Sequence, residues 1–216
     1  MDPAAIVFDL DGVLVDSEQL WDEVRRAVVA DRGGRWTADA TAAMQGMSTP
    51  EWAQYLTTLG ASGTPQELAK AVTEGMAGRY RRHVPLLPGA VEAVTALSER
   101  WPLGVASSSP PELIRVVLAA AGLTGRFRAT VSSEEVAAGK PAPDVYLAAA
   151  ARLGAEPATC VAVEDSANGL RAAAAAGMVV IAVPNPHYPP PADALALARA
   201  SVRTPAGVTP ELIDQL

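Results

Sequence analysis

The chain has 216 residues, half of them apolar and 19% charged, which is enough apolar material for a normal core and excludes wholesale disorder. Its formal net charge of −7 argues against a broad nucleic-acid footprint, which needs a basic surface. One cysteine, Cys160, and two histidines, His83 and His187, exclude an intramolecular disulfide, a cysteine zinc cage and a multi-histidine metal site.

Short apolar runs alternate with Ala-rich helical stretches along the chain. The expected strands are 5–8, 103–106, 129–131, 160–163 and 179–183. They are near-continuous apolar runs without polar alternation, as strands covered on both faces require. Strand, helix, strand in succession implies a parallel α/β sheet of Rossmann-like type with flanking helices. Between the first two strands, residues 16–85 contain no convincing strand. Helices are expected there over 18–30, 37–45, 50–59 and 65–82, forming an all-helical cap inserted after the first strand. The core would then comprise residues 1–15 and 86–216, joined to the cap by hinges at 13–17 and 84–89.

Helix starts and stops are marked locally. Thr64-Pro65-Gln66-Glu67 reads as a capping box with proline at the first helical position, Ser109-Pro110-Pro111-Glu112 reads likewise, and Ser48-Thr49-Pro50-Glu51 resembles both. Gly122, Gly154 and Gly177 sit where helices should stop. The longest uncharged stretch, 172–192, holds Gly177 and five prolines, so it cannot be one membrane-spanning helix. The N-terminus lacks the basic start and apolar run of a secretory signal. A soluble, cytoplasmic protein, monomeric and with neither nucleic-acid nor membrane partners, is expected.

Four clusters fall at the C-terminal ends of expected strands, where open α/β sheets bind ligands. Asp9 and Asp11 leave the first strand two residues apart; taken alone, an Asp-Gly turn accounts for them equally well. Ser107 and Ser108 precede a helix N-terminus, a favourable place for an anion, although simple capping by Ser109 explains part of the pattern. Lys140, one of two lysines against fifteen arginines, sits in Gly-Lys-Pro-Ala-Pro, where a fixed loop could aim a compact ammonium; a solvated surface lysine is the bland alternative. Glu164 and Asp165 crowd one strand end before a helix, and helix capping explains only one of them. Together the clusters supply carboxylates for a hard cation such as Mg²⁺ and donors for a phosphate, the equipment of phosphoryl transfer.

The run 9–18, Asp-Leu-Asp-Gly-Val-Leu-Val-Asp-Ser-Glu, followed in order by Ser107, Lys140 and Glu164-Asp165, resembles the haloacid dehalogenase superfamily across residues 5 to 186. The helical insertion resembles the cap of the branch containing β-phosphoglucomutase and sugar-phosphate phosphatases. The resemblance implies Asp9 as nucleophile, Asp11 as general acid/base, and Ser107, Ser108 and Lys140 as phosphate contacts. It implies Mg²⁺ held by Asp9, the backbone carbonyl of Asp11 and Asp165, with Glu164 acting directly or through water. Asp11 argues against the dehalogenase and phosphonate-cleaving branches, which lack a second aspartate. Substrate selectivity is expected from Trp21, Gln45, Gly46, Ser48 and Thr49 of the cap. Because the cap loop 44–49 lacks positive charge for a second phosphate, a phosphatase acting on a small phosphorylated metabolite, a sugar or polyol phosphate, is expected ahead of a mutase. A non-catalytic phosphate-binding relative is the third reading; such a protein would not need both Asp9 and Asp11.

Overall fold

A computed structural model of the chain describes residues 2–44, 47–186 and 189–216. Six strands form one sheet: β1 (Ala5–Phe8), β2 (Leu103–Ser107), β3 (Phe127–Ser132), β4 (Cys160–Glu164), β5 (Val179–Ala182) and β6 (Ala200–Ser201). Their order is β3-β2-β1-β4-β5-β6 and all pairings are parallel. The five expected strands are present within two residues at each end. The sixth, two residues long, is too short to leave a periodic signal.

Helices cover both faces, as the absence of polar alternation requires. Ile6 and Phe8 of β1 point into one apolar cluster with Leu103, Val105 and Val117. Ala5 and Val7 point into the other, with Tyr146, Ala149 and Ala173. The helices on these faces are α5 (Ala90–Ser98) and α6 (Pro111–Ala120) on the first, and α7 (Asp144–Leu153) and α8 (Ala167–Ala175) on the second. Two short helices, α9 (Ala192–Leu195) and α10 (Pro210–Asp214), close the chain. Numbering in chain order leaves α1 to α4 for the segment between β1 and α5. They are α1 (Glu18–Asp31), α2 (Ala40–Ala43), α3 (Thr49–Thr58) and α4 (Pro65–Arg82).

Of the helix signals, Thr64 forms the full reciprocal box: Glu67 N–H donates to Thr64 Oγ1 at 3.2 Å, and Thr64 N–H donates to Glu67 Oε2 at 2.8 Å. Ser48 N–H donates to Glu51 Oε2 at 2.7 Å. The Ser109 box does not form. Helix α6 begins after Pro110, and the Ser109 hydroxyl donates to Asp11 instead. A charged acceptor outcompetes a neutral helix amide for that hydroxyl. Gly154 ends α7 in the left-handed conformation, φ +69°, which glycine adopts without steric cost.

The two segments flanking the four helices run side by side. Val15 bridges Leu86, Asp16 N–H donates to Pro85 C=O at 2.8 Å, and Leu87 N–H donates to Leu14 C=O at 3.0 Å. Leu56, Leu68 and Met76 of the helical segment share one apolar cluster with Ile6 and Phe8 of the sheet. Among the described residues, no helix is long and apolar enough to cross a membrane.

Candidate active site

Parallel register brings the chemistry together. β1 lies between β2 and β4, so their C-terminal ends lie side by side. Asp9 N–H donates to Val163 C=O at 2.9 Å, extending the ladder one residue past β1 and setting Asp9 beside Glu164 and Asp165. A tight turn follows, with Gly12 N–H donating to Val15 C=O at 2.7 Å. Gly12 has φ +83°, and a Cβ there would lie 2.0 Å from Asp165 Oδ2. Only glycine lets this turn close against that carboxylate.

Lys140 arrives from the loop before α7 with its side chain only 5% exposed. Its Nζ donates to Asp9 Oδ1 at 2.8 Å and to Glu164 Oε1 at 2.5 Å. Glu164 is fully buried and accepts three further side-chain or backbone donors besides the ammonium's neighbour Tyr146. Tyr146 Oη donates to Oε1 at 2.9 Å; Asp165 N–H (2.9 Å), Ser166 N–H (3.1 Å) and Ser166 Oγ (3.1 Å) donate to Oε2. Five donors use essentially the whole acceptor capacity of a carboxylate. Gly169 of α8 packs directly on it: a Cβ there would lie 1.7 Å from Oε1.

Electrostatics follow from burial. Burial pushes Asp9 up to about 7, opposed by Lys140 and reinforced by Glu164 and Asp11. Asp165 is raised too, by burial first and then by the charges of Glu164 and Asp9. Burial alone would lower Lys140, but the carboxylates of Asp9 and Glu164 more than offset it and hold the ammonium above its ordinary value. One ammonium against three buried acids is a deficit of positive charge. Oxygens of Asp9, Glu164 and Asp165 lie within 4.8 Å of one another, close enough to share one cation.

Asp11 is half-buried at the cavity wall. It accepts from Ser109 Oγ at 2.6 Å and from Trp21 Nε1 at 3.3 Å, with Ser107 Oγ at 3.5 Å. Ser107 is fully buried, and its oxygen accepts Ser109 N–H at 3.0 Å; Ser108 is exposed along the cavity. The cavity, of about 140 Å³, lies between this sheet end and the helical segment. Trp21 and Thr49 line it. Ser48 does not: it caps α3 and borders a separate outer groove. Gln45 and Gly46 lie outside the described residues.

The sequence reading missed Tyr146, Ser166 and Gly169 around Glu164, and it spent Ser109 on a cap. It also missed Arg25. The helical segment does present a positive charge to the cavity, from α1 and not from residues 44–49. Arg25 lies 4.9 Å from the Trp21 ring centroid and 5.0 Å from that of Trp52. Glu18, Trp21 and Arg25 recur at helical spacing on one face of α1, so a signal existed.

Residues 3–177 match the family model described as haloacid dehalogenase-like hydrolase. Hexitol phosphatase B of Escherichia coli (strain K12) is 39% identical over 189 residues, covering 85% of this chain and 84% of the relative. The fructose-1-phosphate phosphatase YqaB of the same organism is 34% identical over 181 residues, covering 83% and 96%. The crystal structure of CbbY from Rhodobacter sphaeroides in complex with phosphate superposes with a TM-score of 0.84 at 25% identity, covering 94% of this chain and 95% of that one. With four-fifths of the chain under the family model and a third or more of the aligned residues identical in these relatives, the protein belongs to the haloacid dehalogenase-like hydrolase family.

Proposed function

We propose that the chain is a Mg²⁺-dependent phosphatase that hydrolyses a small, singly phosphorylated sugar or polyol through an aspartyl-phosphate on Asp9. The carrying observation is Asp9 itself: a buried carboxylate gripped by Lys140, beside Asp165 and two residues from Asp11. The named activities of the hexitol and fructose-1-phosphate phosphatases support the substrate class. A cytoplasmic monomer, built as a core of 1–15 and 86–216 with a 16–85 cap, completes the reading.

The site fits a divalent cation, because its acids outnumber its ammonium and two of them are held above their ordinary range. Asp9, the backbone carbonyl of Asp11 and Asp165 would hold Mg²⁺, which supplies charge neutralisation for phosphoryl oxygens and for the ionised Asp9. Glu164, with five donors already on it, serves instead to fix Lys140.

In the first step a carboxylate oxygen of Asp9 bonds to phosphorus while the ester P–O bond breaks. Asp11 gives its proton to the departing alkoxide oxygen. Asp11, now a carboxylate, takes a proton from water as the water oxygen attacks phosphorus. The bond from phosphorus to Asp9 breaks, inorganic phosphate leaves, and both aspartates return to their starting forms. Lys140 offsets the charge of the phosphoryl oxygens throughout, and Ser107 and Ser108 donate to them. Trp21, hydrogen-bonded to Asp11, links the helical segment to the proton donor.

The test is phosphate release from p-nitrophenyl phosphate and from a hexitol 6-phosphate. Turnover should require Mg²⁺ and stop with chelator. Asp9→Asn should lose about 10⁴-fold or more, since an amide is no nucleophile. Asp11→Asn should lose about 10²–10⁴-fold yet still accept a phosphoryl group slowly. Undiminished activity in chelator, or ordinary turnover by Asp9→Asn, sinks the reading.

A further inference from the structure

Neighbouring arginines on α1 are used differently. Arg26 forms an ion pair with Asp22 at 2.6 Å on the exposed side. Arg25 turns inward and packs against two adjoining rings: Trp21 and Trp52, 6.2 Å apart between centroids and tilted to each other, lie 4.9 and 5.0 Å from its guanidinium. Such stacking uses the faces of the guanidinium and leaves its hydrogen-bonding edge free. The Arg25 Nε–H is buried and has no hydrogen-bond partner among the described residues. The guanidinium is therefore held by packing and not by a protein acceptor at this nitrogen, and the part of Arg25 that lines the cavity is open to an acceptor on a ligand. Burial lowers the guanidinium to about 10, which leaves it charged at neutral pH, helped by the nearby Glu18.

The surroundings select the kind of partner. Arg25 and Glu18 line the same cavity as Asp9 and Lys140. The described cavity wall carries the carboxylates of Asp9, Asp11, Glu18, Asp22 and Asp165 against two cations, Arg25 and Lys140. Asp22 is paired with Arg26, and Asp11 carries the proton it gives to the leaving group, so the remaining carboxylates and cations nearly balance once a divalent cation binds, and the entering phosphoryl dianion leaves the site net negative. A second anionic group on the ligand would meet repulsion. A hydroxyl, by contrast, both donates and accepts: it can accept from Arg25 and donate to Glu18, while indole faces cover the C–H surface of a sugar or polyol.

Resting on the phosphatase reading above, we infer that Arg25, packed against the rings of Trp21 and Trp52 and lining the cavity with Glu18, is a specificity-determining residue that binds hydroxyl groups on the uncharged end of the substrate. It selects polyhydroxylated monophosphates over short alkyl phosphates and over substrates bearing a second anion.

The experiment compares kcat/KM of the unaltered chain, Arg25→Met and Arg25→Gln on three phosphomonoesters: a hexitol 6-phosphate, ethyl phosphate and the corresponding hexonate 6-phosphate. The unaltered chain should prefer the hexitol ester to both others. In Arg25→Met the hexitol-to-ethyl ratio should fall about 10- to 100-fold, the size of one or two charge-assisted hydrogen bonds, with the change in KM. Arg25→Gln, which keeps an N–H donor, should recover part of the ratio and guards against a fold defect in the methionine variant. A ratio unmoved in both variants overturns the inference and leaves the phosphatase reading intact. So does a native preference for the hexonate that Arg25→Met abolishes, which would make Arg25 an anion site. Failure of the unaltered chain to hydrolyse any of the three esters, or p-nitrophenyl phosphate, with Mg²⁺ fails the phosphatase reading and takes this inference with it.

Discussion

The sheet end and the helical segment face each other across one cavity, and they hold their polar groups in opposite ways. At the sheet end Glu164 accepts five donors, Lys140 touches two carboxylates, and the glycines at 12 and 169 let backbone pack onto charged oxygens. On the helical side Arg25 is held by aromatic faces, with a buried nitrogen unmet. The difference separates reaction from recognition. Groups whose partners are built into the chain arrive preorganised for charge that develops during reaction. A cationic side chain held by packing at the cavity wall keeps the freedom to meet a ligand's acceptor, as inferred for Arg25.

The sheet end is most vulnerable at Gly169. Alanine normally stabilises a helix relative to glycine by about 1 kcal/mol. Here its Cβ would collide with the buried Glu164 carboxylate, so Gly169→Ala should instead destabilise by about 1–3 kcal/mol and depress phosphatase activity by displacing Lys140. Thermal denaturation with parallel kinetics checks this; a stable, fully active Gly169→Ala would mean that the saturated carboxylate is dispensable.

A smaller effect tests the charge deficit at the sheet end. Asp9 is raised to about 7, so between the ordinary carboxylate range and pH 7 the folded protein binds more protons than the unfolded chain. In chelator, this group's contribution makes stability rise as pH falls through about 7. Mg²⁺ competes with those protons. The gain in Tm on adding saturating Mg²⁺ should therefore be larger at pH 7.5 than at pH 6, by about 2–4 °C for each kcal/mol of linkage. A gain independent of pH, read by calorimetry, would show that Asp9 is already ionised without the metal.

The smallest effect sharpens the helical side. Trp21→Phe keeps an aromatic ring beside Arg25 but removes the N–H that reaches Asp11 at 3.3 Å. One long hydrogen bond predicts a fall of about threefold to tenfold in kcat with little change in KM. That is the opposite split from Arg25→Met. Stopped-flow or steady-state kinetics distinguishes the two, and a change confined to KM would place Trp21 in recognition alone.

Much of this protein was written locally. Continuous apolar runs specified strands covered on both faces, the paired aspartates at 9 and 11 marked a strand end, and Thr64 with Glu67 announced a helix start. Those signals act over a few residues, where sterics and hydrogen bonding dominate, so sequence by itself determined the parallel α/β class and the carboxylates and lysine that gather there. Ser109 shows the limit: its sequence context is a cap, but a carboxylate 98 positions away takes its hydroxyl. Only the tertiary structure could decide that competition, because Asp11 reaches Ser109 through the register of β1 beside β2. The same holds for Tyr146, which meets Glu164 through the packing of α7 on the sheet, and for Arg25, whose second ring, Trp52, comes from another helix. Periodicity told which face of a helix is buried; which partner it is buried against depended on contacts between distant segments, and those have no local signature.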